Sequence, residues 1–135
     1  MPSLTFTPHV ILFGAGLAAV LVAFIYMLAA RQTVGNATLA AALSGGFAAY
    51  TAVTIASEGF TPVLLNHTSN LWGIQVWWDL LFSLGIATFF VLPRARAQNM
   101  HIAPWLVFIA ASASIGLLAM VARLFWLERQ AGAKS

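Results

Sequence analysis

One carboxylate stands inside a stretch that otherwise reads as lipid-buried helix: Asp79, within "QVWWDLLFSLG" at 75–85. Gln75 precedes it by four residues and Ser83 follows by four, so on a helix the three share one face. An Asp near the centre of a membrane helix costs about 2.5–3.5 kcal/mol on insertion scales. It must therefore be protonated or paired. Arg123, in "MVARLFWLER", is the expected partner. Helical side chains tilt toward their own N-terminus, so on antiparallel neighbours the two heads would lean together. One reading of the pair is a static clamp between helices. The other is a proton or ligand site built on Asp79, Gln75 and Ser83, with Glu58 and His67 as further polar groups.

The remaining reactive residue types are sparse. His9 and His101 each begin an apolar run, and His67 lies in a polar stretch. No spacing among them matches a metal motif, and none is expected to hold a metal. His9 and His101, with Trp77 and Trp78 beside the acid, are candidate contacts for a pigment or other ligand, as imidazoles and aromatic rings next to apolar helices can be. The matched histidine pair of a bis-histidyl haem is missing. With 0 Cys there is no thiolate site or disulfide. No Ser–His–Asp arrangement is readable, so no enzymatic activity is expected. The sequence requires no cofactor, and a bound pigment or lipid is compatible with it.

These residues must be positioned by membrane helices. Of the 135 residues 61% are hydrophobic and 7% charged, where a soluble domain carries roughly a quarter charged. The net charge of +3 comes from scattered basic residues, and no basic stripe exists to follow nucleic acid. A bilayer core of about 30 Å needs about 20 apolar residues per helix. Four segments qualify: 8–30, 37–57, 71–92 and 102–127. The expected fold is thus all-α, a single domain built as an integral membrane bundle of four transmembrane helices. Asn36 or Thr38 can cap the second helix. "EGFTPVLLNHTSN" (58–70) is too polar for a simple span. Pro93 is expected to end the third helix.

Basic residues in short loops mark the cytoplasmic side. Arg31, Arg94 and Arg96 place the first and third loops there, with both termini outside; Arg129 and Lys134 oppose that assignment. The expected location is a cell inner membrane, crossed several times. Small residues in "FGAGLAA", "AALSGGFAAYTA" and "ASASIG" allow helix backbones to approach closely.

From about residue 57 to 129 the chain resembles a family of small bacterial membrane proteins carrying a domain of unknown function. The likeness runs through "EGFTPVLLN", "DLLFS" (Asp79 to Ser83), "FF", an arginine linker ending in Met100, Trp105, "SIGLLA" and "LFWLER". It implies a membrane acid at Asp79 and an architecture, without an activity. The chain departs from the pattern at Arg94, where the family tends to an acid, at Ala122, where it tends to proline, and at Arg123, where it tends to be apolar. The expected function is an accessory or scaffold subunit of a larger respiratory or photosynthetic membrane complex, whose partners are the bilayer and other membrane subunits or further copies. The alternative is a small oligomeric transporter or channel using Asp79.

Overall fold

The computed structural model describes residues 7–29 and 35–134. The chain divides into two compact units, Met1–Thr33 and Val34–Ser135, and each is described by itself. The first holds α1 (Pro8–Ala29), 22 residues without a charged side chain, about 33 Å long at 1.5 Å per residue. Arg31 and the end of the expected first span lie outside the described residues.

The second unit holds α2 (Ala37–Glu58), α3 (Thr61–Thr68), α4 (Leu71–Ala97), α5 (Ile102–Ser112) and α6 (Ser114–Gly132). Asn36 caps α2, its side-chain oxygen accepting from the Leu39 N–H at 3.0 Å. Asn70 does the same for α4 through the Gly73 N–H at 2.8 Å. Among the described residues three helices are long and apolar enough to cross a membrane: α1, α2 and α4.

Two expectations fail here. The third helix does not stop at Pro93 but runs on to Ala97. Pro93 removes one backbone hydrogen bond, a loss that membrane helices tolerate. The true stop is Asn99, at φ 56°, where Met100 N–H bonds to Ala95 C=O (3.0 Å) and Asn99 N–H to Arg96 C=O (2.9 Å). That is the Schellman pattern, in which a left-handed residue satisfies the last carbonyls, and asparagine accepts that conformation more readily than most residues.

The second failure is larger. The expected fourth span, 102–127, is two helices. At Ala113 the backbone takes φ 52° and ψ −120°, and α6 folds back along α5. A Cβ added at Gly116 would stand 2.8 Å from backbone atoms of Phe108 and Ile109. In a continuous helix, residues 108 and 116 would be about 12 Å apart along the axis. The returning helix buries Gly116, Met120 and Leu124, one face at i, i+4, i+8. Met120 packs with Ile109 of α5 and Ala95 of α4, and Leu92, Ile102 and Trp105 surround them. At about 16 Å, the 11 residues of α5 cannot cross a bilayer core.

The expected close approach of small residues is realised between α2 and α6. Ala40 and Ser44 are the buried positions of α2, and the Ser44 hydroxyl donates to the Ile115 carbonyl at 2.9 Å. At the other end of this contact the Phe125 ring lies so close to Gly35 that a Cβ there would overlap it. Low numbers on α2 thus meet high numbers on α6, and the two run antiparallel. A Cβ added at Gly45 or Gly46, beside Ser44, would meet nothing from another element within 4 Å, so among the described residues the glycine pair itself is not the seam.

Candidate functional site

Asp79 lies on the exposed side of α4. Together with Trp72, Gln75, Val76, Trp78 and Phe82 it lines an open groove of about 350 Å³. Every one of those residues belongs to α4, so the groove is the surface of one helix. Gln75, Asp79 and Ser83 form the expected line, and all three are exposed. No hydrogen bond or ion pair to Asp79 exists among the described residues.

The expected clamp between Asp79 and Arg123 is not formed. The break at Ala113 explains why: it returns α6 toward the C-terminal end of α4, whereas Asp79 lies in that helix's first half. Arg123 instead sits over the Trp126 ring, 4.5 Å from its centroid, and lines a cavity with Gln98 and His101. The ion pair that does join α4 to α6 is Arg94–Glu128. Arg94 Nε donates to Glu128 Oε1 at 2.9 Å and its Nη2 to Oε2 at 2.6 Å, a bidentate fork. The guanidinium also lies 5.4 Å from the Phe125 ring centroid. Nothing in the sequence marks this pair, because the two residues are 34 positions apart and become neighbours only when the hairpin folds back.

The other candidates are dispersed. His9 begins α1. His101 is the N-cap residue of α5 and makes no side-chain cap bond. Trp77 packs on His67 of α3, with ring centroids 5.3 Å apart, while Trp78 packs on Phe82 at 5.5 Å. The structure therefore does not gather His9, His101, Trp77 and Trp78 into one ligand site. Glu58 and His67 do share a cavity, of about 280 Å³, between α2 and α3 with Tyr50, Thr54 and Asn66. His67 Nδ1 is buried there without a hydrogen-bond partner among the described residues. The described residues hold no cluster of three or more His, Cys, Asp or Glu.

The fold defines a class, a helical protein with three helices, among the described residues, long and apolar enough to cross a membrane. Compared with known proteins, the chain matches no family model, no curated protein and no solved structure.

Proposed function

We propose that this chain is an accessory subunit of a larger membrane assembly, docked through the exposed face of α4 around Asp79. The observation that carries the reading is the position of that carboxylate. It is exposed within a helix long and apolar enough to span a bilayer, about 12 Å from the helix start at 1.5 Å per residue. Without a counter-charge, insertion is penalised. The described cations that could neutralise it stand elsewhere: α1 has no Lys or Arg, and Arg94, the first beyond Asp79 on α4, lies about 22 Å along the axis. A cationic or hydrogen-bonding side chain on a neighbouring subunit would remove the penalty, and Trp72, Trp78 and Phe82 supply apolar contact around it.

The hairpin also bears on orientation. It carries Arg123, Arg129 and Lys134 to the end of α4 where Arg94 and Arg96 lie, so their conflict with the loop arginines disappears. With three crossings, the positive-inside rule puts this end and the C-terminus in the cytoplasm and the N-terminus outside. We place the protein in a bacterial inner membrane, which is what the resemblance read from its sequence motifs would imply.

The test is purification from the native membrane in gentle detergent. Particle mass, co-purifying chains and the visible spectrum are read on one sample, for the wild type and for Asp79→Asn. A large particle that loses stoichiometric partners in the variant is expected, and bound pigment would assign the assembly to photosynthesis or respiration. A particle containing only this chain, unchanged by the substitution, would overturn the reading. The line Gln75–Asp79–Ser83 favours a second reading, in which several copies face a shared polar path. In that case Asp79→Asn abolishes flux in reconstituted vesicles while the self-associated particle stays intact.

A further inference from the structure

The C-terminal end of α4, away from the Asp79 groove on the same helix, borders a second cavity, which the docking proposal does not use. The turn after α4, the start of α5 and the returning α6 line an open cavity of about 240 Å³. Its lining includes the polar Gln98, Asn99 and His101, the apolar Trp105 and Leu127, and the cation Arg123. Arg123 is exposed and forms no ion pair among the described residues. Glu128, the one acid on this part of the chain, pairs with Arg94. From residue 93 to 134 the chain carries five Lys or Arg and one acid, a surplus of four positive charges. The first turn of α5 reaches the same cavity uncapped by any side chain, but the C-terminal end of α4 lies there too, so the two helix dipoles oppose and the positive potential is that of the side chains.

We propose that this cavity binds the phosphate of an anionic phospholipid headgroup. The guanidinium and the side-chain amides of Gln98 and Asn99 are donors for phosphate oxygens. Trp105 and Leu127 receive the glycerol and the first acyl carbons, as tryptophan does at membrane interfaces. Phosphate alone would not discriminate between lipids, since zwitterionic lipids also carry it. The uncompensated charge of this end does, because a zwitterionic headgroup brings its own cation whereas an anionic one does not. The site forms only because the chain reverses at Ala113, which sets Arg123 beside His101 and Gln98.

The experiment uses the full chain, delipidated in neutral detergent. It is titrated with phosphatidylglycerol, phosphatidylcholine or inorganic phosphate, and read by native mass spectrometry and by the shift in Tm. One phosphatidylglycerol per chain should be retained and raise Tm, with phosphatidylcholine and inorganic phosphate far weaker. Arg123→Gln should weaken retention by about tenfold, the scale of a lost charged hydrogen bond. Arg129→Gln removes the same charge outside the cavity and should change little. If Arg123→Gln folds poorly, Gln98→Ala in the same lining provides the same reading with a smaller loss. Equal weakening by Arg123→Gln and Arg129→Gln would reduce the effect to diffuse surface charge and overturn the site. Phosphatidylcholine binding as well as phosphatidylglycerol would overturn it, and so would inorganic phosphate producing the full shift, which would make the ligand a soluble anion.

Discussion

Gly116→Ala tests the hairpin, because the two possible forms of residues 102–127 predict opposite signs. In the structure an added Cβ would stand 2.8 Å from Ile109 N and from Phe108 C and O. These are backbone atoms, so no rotamer change relieves the contact, and α5 and α6 must part by some tenths of an ångström. That separation loosens Met120 from Ile109 and Ala95, the buried cluster that holds the hairpin on α4. Overpacking of this kind costs about 1–3 kcal/mol. The gain in helix propensity from Gly to Ala returns up to about 1 kcal/mol. With the full propensity gain returned, the expected net is a loss of about 0–2 kcal/mol. Were 102–127 one straight helix, only the propensity gain would remain. The assay is reversible unfolding in mixed micelles with increasing dodecyl sulfate, followed by helical circular dichroism. Gly85→Ala, on α4 with nothing within 4 Å, is the matched control and should be neutral or stabilising. A Gly116→Ala protein more stable than the wild type, by the propensity gain that a straight helix would show, would refute the hairpin.

Ala113→Gly should stabilise by about 1 kcal/mol in the same assay, since glycine occupies positive φ without the cost an alanine bears there. A loss of stability would mean that the turn is not at Ala113. The chain has 0 Cys, so single cysteines report sidedness directly. Lys134→Cys and Gln98→Cys should react with an impermeant thiol reagent from the same side of the membrane, and Thr7→Cys from the other. Labelling of positions 134 and 98 from opposite sides would restore a fourth crossing.

Much was legible in the chain itself. Apolar runs with few charges cannot be hydrated, so α1, α2 and α4 follow from composition and length, and each lies within a few residues of its expected bounds. The cap at Asn36 and the line Gln75–Asp79–Ser83 follow from local rules of the same kind, since helical spacing decides which side chains share a face. The end of α4 was half legible: Pro93 is the louder signal, but the weaker one, Asn99, closes the helix because it satisfies two carbonyls at once. The hairpin was not legible. No Gly or Pro stands at 112–114, where the sequence reads Ser-Ala-Ser, and local preference favours one unbroken helix through Ala113. The reversal exists because Gly116, Met120 and Leu124 bury themselves against α5, α4 and α2 at the same time, a non-local gain that outweighs one residue at an unfavourable φ. Both ion-pair assignments turn on that bend. It takes Arg123 away from Asp79, brings Glu128 to Arg94, and leaves Asp79 open on the surface of α4.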